Sequence, residues 1–228
     1  MFSKQSPKSS YAVNLNNLLR TSKAIGLDNI SARLLKDSAS VISKSLTKLF
    51  NQSFVTRTFP SLWKFGKVSA LFEKGDLCDP NNYRPVTVLP TLSKILEKAV
   101  HEQLYCFLNQ NKIITSKKFG FRPKLSTNTA LTHFTDNVLL NMDSGRLTGA
   151  VFLDLSKVFD TVDHNLLLHK LKSVGRSDDT LNWFQTYFTN RKQRTSFGDA
   201  LSVAAPKIVG VPQGSILGLL LFLVSLNA

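Results

Sequence analysis

The sequence predicts a mixed α+β fold, because helical and strand-like hydrophobic patterns both occur along its 228 residues. Apolar residues recur at helical spacing over residues 32–54 and form a wide stripe over residues 92–108. Shorter apolar runs of strand length occur at residues 64–72, 86–90 and 150–155. Hydrophobic residues make up 43% of the chain, enough to bury a core in one large domain or two small ones.

The first part of the chain combines a polar arm with a helix. Residues 1–21 are largely polar and are predicted to form a flexible arm. Asp28 and Ser31 are both candidate caps for the helix predicted at residues 32–54, and Pro60 interrupts the helical pattern. The folded part is therefore expected to begin just before this helix.

A hairpin and a long helix are predicted next. Residues 73–85 separate two strand-like runs and are rich in turn-forming Gly, Asp, Pro and Asn, so the two runs are predicted to pair as a basic β-hairpin. After Pro90, the apolar stripe predicts a long helix that Thr91 or Ser93 caps. The apolar face of this helix is expected to lie against a sheet.

The second half of the chain predicts further helices and one buried strand. The strand is Ala150 to Leu155, AVFLDL, which is too apolar to face water on either side. Asp163 is a candidate cap for a helix that ends at Gly175. The other predicted elements are helices at residues 128–143 and 180–190, a basic turn at residues 190–194, a hairpin across Gly198 and Asp199, and an apolar helix after the loop at residues 210–218.

The charge balance points to a polyanionic partner. Lys and Arg total 29 against 15 Asp and Glu, which gives a formal net charge of +14. Nucleic acid is the usual partner of such a chain, although a membrane surface or the ribosome would select the same excess. The apolar run at residues 216–226 is about half the roughly 20 residues that span a bilayer, so a buried helix is predicted there.

Cysteine usage predicts an intracellular protein. Cys78 and Cys106 form no C-x-x-C motif and are too few for a disulfide framework. The N-terminal residues have no apolar stretch of the kind that a secretory signal requires.

Asp154 is the sharpest candidate site residue, since it stands near the end of an almost wholly apolar segment. Burying a carboxylate is costly unless it binds a metal or another cation, and a solvated strand end is the alternative. Phosphoryl transfer by two metal ions needs at least two such carboxylates. Asp160 follows a turn and is as consistent with a helix cap as with a metal ligand.

Two other stretches suggest binding. In residues 210–215, GVPQGS, two glycines and a proline hold the backbone close to whatever the Gln213 amide contacts, although a tight turn before a helix explains the same residues. Lys67, Lys74 and Arg84 on the predicted hairpin could clamp a triphosphate, and a solvated charged face is the alternative.

Taken in order, five stretches resemble the successive blocks of reverse transcriptases from non-LTR retrotransposons. The resemblance covers residues 22–227, and five ordered blocks make a chance match very improbable. The blocks are KVSALFEKGDLCDPNNYRPVTVLPTLSKILEK, FGFRPKLSTNTAL, VFLDLSKVFDTVDHNLLLHKL, WFQTYFTNRKQR and GVPQGSILGLLLF.

The resemblance implies a right-hand polymerase with helix-rich fingers that carry a basic β-hairpin at residues 22–148, and an incomplete antiparallel palm sheet at residues 149–228. It implies RNA-directed DNA polymerase activity with Mg²⁺ (or Mn²⁺), an RNA template, a DNA primer and deoxynucleoside triphosphates. It implies no membrane partner and an intracellular location, in the nucleus or the cytoplasm. It predicts no oligomeric state.

The resemblance also implies roles for palm residues. Asp154 matches the first metal-binding aspartate, and the Leu155 carbonyl helps to hold the ion. Phe159 matches the bulky residue that rejects the ribose 2′-OH of an incoming nucleotide. Gln213 and Gly214 match the loop that packs against the nucleotide and the template base.

In the fingers, Lys74 and Arg84 match the residues that neutralise the triphosphate, and Arg122 matches a residue that supports the template strand. Glu73 stands where the family usually has a second lysine, so a weaker phosphate clamp is expected. Other departures from the family pattern are Val158, Leu219 and Ala228, where alanine, proline and aspartate are common.

The paired-aspartate block of the family does not occur in the 228 residues. Asp154 alone cannot hold two ions across an in-line displacement, so the chain by itself is expected not to polymerise DNA. Two alternatives stay open from the sequence. One is a non-catalytic remnant whose basic fingers bind RNA through phosphate contacts, and the other is an inert fragment with an open sheet edge.

Overall fold

The computed structural model describes residue 15, residues 19–155 and residues 157–226. The predicted arm at residues 1–21 lies mostly outside the described residues. The α-helices are α1 (Ala32–Asp37), α2 (Ala39–Val55), α3 (Thr91–Gln110), α4 (Thr127–Asp143), α5 (His164–Ser173), α6 (Asp178–Phe188) and α7 (Ile216–Ser225). The strands are β1 (Phe65–Phe72), β2 (Tyr83–Val88), β3 (Arg191–Phe197), β4 (Ala200–Leu201) and β5 (Ala205–Lys207). Within these ranges, no helix is long and apolar enough to cross a membrane.

The first predicted helix is confirmed, but the chain breaks it in two at Ser38. Ser31 rather than Asp28 caps α1, because its side chain accepts a hydrogen bond from the backbone of Leu34. Helix α2 then starts directly after Ser38 and buries Leu46 and Phe50 in the core.

The predicted hairpin is confirmed as an antiparallel pair of β1 and β2, in which Lys67 pairs with Val88 and Phe72 pairs with Tyr83. Strand β3 joins the other edge of β1 in parallel, and β4 and β5 pair with β3, so the sheet order is β2-β1-β3-β4. The hairpin across residues 198–199 is confirmed by the pairing of β3 with β4.

The prediction of a basic turn at residues 190–194 is wrong, because most of this segment forms the start of β3. Arg191 is buried there, donates to the Tyr187 carbonyl at 3.0 Å, and lies 4.7 Å from the centre of the Tyr187 ring. Pairing with Lys207 of β5 and contact with an aromatic ring thus accommodate a buried cation that the sequence pattern assigns to a solvated turn.

The prediction of a buried strand at residues 150–155 is also wrong for the described structure. This segment has no regular secondary structure, and Phe152 is 85% exposed. A strand needs neighbouring backbone groups to complete its hydrogen bonds, and no described segment pairs with these residues. The sheet that does form is mixed rather than purely antiparallel, and it is partial.

Helix α3 is confirmed, but its predicted cap and packing partner are not. Neither Thr91 nor Ser93 caps it, since Pro90 precedes the first turn and the Ser93 hydroxyl donates instead to Glu97 at 3.1 Å. The apolar face of α3 packs chiefly against α7 rather than against the sheet. The contacting faces of both helices are buried, so this packing joins the middle of the chain to the predicted apolar helix at residues 216–225.

An aromatic cluster holds the helices to the segment that enters β1. The Phe59 ring is fully buried and lies edge-on to Trp183 and Tyr187 of α6, at centroid distances of 5.4 and 5.0 Å. The Trp183 indole donates to the Ser53 hydroxyl at 3.0 Å, which satisfies its buried N–H. This cluster therefore fixes where β1 begins relative to α2 and α6.

A buried acid caps α7. The Glu97 carboxylate is completely buried on α3 and accepts hydrogen bonds from the backbone of Ile216 at 2.8 Å and of Leu217 at 3.4 Å. Burial raises the pKa of Glu97, while the charge of Arg191 and these hydrogen bonds act in the opposite direction. The start of α7, and with it the loop at residues 210–215, is thus tied to the core.

Because its pKa is higher in the folded state than in the unfolded chain, Glu97 binds a proton more readily when the protein is folded. Its contribution to stability is greatest below the unfolded pKa and falls as pH rises toward the folded pKa. We expect the free energy of unfolding of the wild type to fall, relative to that of E97Q, as pH rises through the range above the ordinary glutamate pKa of about 4.3. Denaturant titrations across this range measure it, with E102Q on the exposed face of the same helix as control. A wild-type to E97Q difference that does not change with pH contradicts the prediction.

Candidate functional site

Backbone hydrogen bonds join the loop at residues 210–215 to two other segments. At its start, the Gly210 amide donates to the Val162 carbonyl at 2.8 Å and the Val211 amide donates to the Phe159 carbonyl at 2.7 Å. Gly210 has a φ of +77°, and a Cβ there would clash with the backbone of Asp160. The turn that contains Phe159 and the loop thus hold each other in place.

The other end of the loop covers the open edge of β2. The Thr87 amide donates to the Gln213 carbonyl at 2.6 Å. Gly214 has a φ of +116°, and a Cβ on it would collide with the Thr87 carbonyl oxygen. Since unpaired strand edges are sites of unwanted pairing, this contact protects the edge of β2 at Thr87.

The Gln213 side chain links the hairpin to the turn. Its Nε2 donates to Asp160 Oδ2 at 2.9 Å, and its Oε1 accepts from Arg84 Nε at 3.4 Å. Asp160 Oδ1 lies 3.0 Å from Lys207 Nζ on β5. The structure therefore brings together two residues that the sequence singled out, Arg84 and Gln213, and adds Asp160 and Lys207.

The cationic part of the site is partly offset by an acid. Arg84 is exposed, and its Nη1 lies 3.9 Å from Glu73 Oε1. Lys74 is exposed next to Glu73, at the turn of the hairpin. A pair at this distance between half-exposed groups contributes about 1 kcal/mol or less, so Arg84 is available to a stronger anionic ligand.

Phe159 forms one side of the same region. Its half-buried ring packs on Phe222 of α7 at a centroid distance of 4.6 Å and on Phe121 at 5.9 Å. The backbone carbonyl of Phe159 holds the loop through Val211. The predicted steric-filter residue and the predicted glutamine loop are therefore direct neighbours.

A cavity of about 620 Å³ lies beside this network, on one face of the sheet. Alternate side chains of β1, β2 and β3 form its floor, and Lys157, Asp160 and Lys207 lie at its wall. Lys157 Nζ also donates to Asn81 Oδ1 at 3.3 Å, which ties the turn to the hairpin. The cavity offers apolar surface bordered by charged groups, an arrangement typical of sites for amphipathic ligands.

Asp154 and Leu155 lie apart from this network, in the exposed segment before residue 156. Among the described residues, no three His, Cys, Asp or Glu side chains come together as a set of metal ligands. The Asp160 carboxylate is engaged by Lys207 and Gln213. The described residues therefore do not by themselves fit a two-metal centre.

Arg122 serves the local structure of its loop. Its Nη1 donates to the carbonyls of Thr115 and Lys118, at 3.0 and 3.2 Å. Its Nε is buried without a hydrogen-bond partner among the described groups. Arg122 therefore holds the loop before α4 rather than reaching outward.

Sequence reasoning left the role of Asp160 undecided and missed Lys207 and Glu97. The helix-cap role belongs to Asp163, whose carboxylate accepts from the backbone of Leu166 at 2.8 Å. Glu97 carried a usable signal, because it is an acid on the apolar stripe of α3. Lys207 carried none, since its partner lies 47 residues away in the chain.

A basic hairpin, an aromatic turn and a glutamine loop thus meet at one site. The family described as Reverse transcriptase (RNA-dependent DNA polymerase) matches residues 72–228, so the chain belongs to this family. Polymerases of this family use divalent metal ions.

Relatives from mobile elements match most of the chain. The RNA-directed DNA polymerase from mobile element jockey is 32% identical over 209 residues in Drosophila melanogaster and 30% identical over 204 residues in Drosophila funebris, covering 90% and 88% of the chain. A 115 kDa protein in the type-1 retrotransposable element R1DM of Drosophila melanogaster is 29% identical over 205 residues, covering 88% of the chain. The chain spans 22%, 22% and 19% of these relatives. The resemblance to non-LTR retrotransposon reverse transcriptases is thus confirmed.

Substitution G214A tests the close approach of the loop to β2. We expect it to destabilise the fold by roughly 2 kcal/mol, because alanine meets both an unfavourable φ and the Thr87 carbonyl. Thermal and denaturant unfolding measure the loss. G149A is the matched control, since a Cβ at Gly149 meets nothing within 4 Å. Equal stability of the two variants contradicts the described contact.

Proposed function

We propose that the chain is the fingers (residues 22–148) and part of the palm (residues 149–228) of an RNA-directed DNA polymerase of a retrotransposon. In this proposal it binds an RNA template, a DNA primer and deoxynucleoside triphosphates. The observation that carries the proposal is that Arg84 and Phe159 both contact the loop that contains Gln213. Arg84 bonds to the Gln213 side chain, and the Phe159 carbonyl bonds to the loop backbone. These residues come from separate blocks of the chain.

The nucleotide contacts follow from the chemistry of these groups. Arg84 can present a planar fork of donors to a phosphate, and Lys74 can add a second positive charge at the hairpin turn. Gln213 and Gly214 form the surface on which the nucleotide and the template base pack. Phe159 supplies the bulk that excludes a ribose 2′-OH.

Asp154 is proposed as one ligand of a catalytic Mg²⁺ or Mn²⁺ ion, with the Leu155 carbonyl beside it. Support comes from its exposed carboxylate, which stands immediately before the turn that carries Phe159. Two divalent ions stabilise the attacking and leaving oxygens in this class of reaction. The described residues supply only this part of the ligand set of the two ions.

The template contacts are proposed to be mainly electrostatic. The formal net charge of +14 favours phosphate backbones over other partners. Arg122 is proposed to support the template by fixing the loop before α4. An intracellular site of action, in the nucleus or the cytoplasm, agrees with two cysteines that are both free and exposed.

Primer extension on an RNA template tests the proposed function. The assay compares the 228-residue chain with the same chain followed by a segment that carries a paired-aspartate block, and includes D154N in each. We expect extension that requires both the added carboxylates and Asp154. Extension that survives D154N contradicts the assignment of Asp154. Binding of RNA that weakens steeply with salt, without extension in any polypeptide, favours the RNA-binding remnant instead.

Substitution E73Q tests the charge balance of the hairpin. We expect E73Q to tighten binding of a deoxynucleoside triphosphate up to about fivefold, because Arg84 loses a competing carboxylate. E73K, which adds a cation, is expected to have the larger effect. Titration with a fluorescent nucleotide measures the affinity, and E102Q is the control with the same change of net charge. An equal gain in E102Q shows that overall charge, rather than Arg84, is responsible.

A further inference from the structure

Asp160 lies where three segments of the site meet, and its two carboxylate oxygens have different partners. Oδ2 accepts from Gln213 Nε2 at 2.9 Å, and Oδ1 lies 3.0 Å from Lys207 Nζ. The side chains of Asp160 and Lys207 are 29% and 15% exposed. Water therefore screens this pair less than it screens the pair of Arg84 with Glu73, and the geometry of Asp160 is correspondingly better defined.

The neighbours of the Gln213 amide allow only one orientation. An ionised carboxylate can only accept hydrogen bonds, and a guanidinium can only donate them. The amide nitrogen must therefore face Asp160, and the amide oxygen must face Arg84. The opposite orientation would set oxygen against carboxylate and nitrogen against guanidinium, and would lose both contacts.

We propose that Asp160 is a positioning residue of the nucleotide site, which fixes the amide of Gln213 with its oxygen toward Arg84. The inference rests on the proposed function, since the ligand of Gln213 and Arg84 is taken to be a deoxynucleoside triphosphate. Lys207 offsets the charge of Asp160, so the carboxylate can stand near a polyphosphate with little net repulsion. Asp160 orders the site through Gln213 and does not itself contact the nucleotide.

The orientation can be measured in the 228-residue chain by NMR. We assign the Gln213 side-chain amide by its loss in Q213E and measure its proton exchange with water. The exchange is expected to be at least about tenfold slower than that of Gln110, an exposed glutamine on α3, because a charge-assisted hydrogen bond protects it. D160A should remove the protection and D163A, which loses only the cap of α5, should keep it. An unprotected Gln213 amide in the wild type overturns the proposal, whether or not D160A folds.

Nucleotide affinity supplies a second readout. We expect D160A and Q213A each to weaken binding of a fluorescent deoxynucleoside triphosphate about tenfold. The double variant should bind the nucleotide no more weakly than either single variant. D160A leaves the Gln213 amide oxygen without a fixed direction and Q213A removes that oxygen, so both changes act on the same contact. A merely structural loss, as in D163A, should instead add to that of Q213A. Additive losses for D160A and Q213A overturn the proposal.

The two experiments separate this inference from the function on which it rests. If the wild type binds no deoxynucleoside triphosphate, the proposed function fails, while the exchange of the Gln213 amide still decides the role of Asp160. If the nucleotide binds and the Gln213 amide is unprotected, the proposed function stands and the positioning role of Asp160 fails.

Discussion

The backbone hydrogen bonds that hold residues 210–215 between a turn and a strand edge determine the rest of the site. One end of the loop is bonded to the carbonyls of Phe159 and Val162, and the other end to the amide of Thr87. Glycines at both ends permit an approach that any side chain would block. Because these contacts are made by the backbone, they set where the main chain of Gln213 lies, while neighbouring side chains set the direction of its amide.

The charges of the site alternate in space, which suits a ligand that is itself strongly charged. Glu73, Arg84, Asp160 and Lys207 form two opposite pairs, and the Gln213 amide lies between them. The Asp160 pair is the more shielded of the two, so it acts as scaffold, whereas the looser Arg84 pair can exchange its acid for a phosphate. The site thus contains one rigid ion pair, between Asp160 and Lys207, and one exchangeable ion pair, between Glu73 and Arg84.

Patterns among neighbouring residues predicted much of the secondary structure. The elements that they mispredicted depend on contacts between distant parts of the chain. The hairpin, the Asp163 cap and the apolar helix follow from turn residues, a capping carboxylate and continuous hydrophobicity, all read within a few positions. Arg191 instead begins a strand, because β5 pairs with it at Lys207 and β1, more than a hundred residues earlier in the chain, pairs with the residues that follow it. Residues 150–155 have the apolar composition of a buried strand but do not form one, because no described segment supplies the neighbouring backbone that a strand requires.

Among the candidate site residues, the sequence identified those whose chemistry is unusual and missed those whose role is to hold others. Gln213 stands out because glycine and proline surround it, while Lys207 is one of 29 basic residues and has no distinguishing neighbours. Glu97 also holds other residues in place, but from within the core. Its buried carboxylate accepts hydrogen bonds from the first turn of α7 and so fixes the end of the loop. An acid in an apolar stripe is costly unless it is bonded, and here its bonds link the helical core to the glutamine loop.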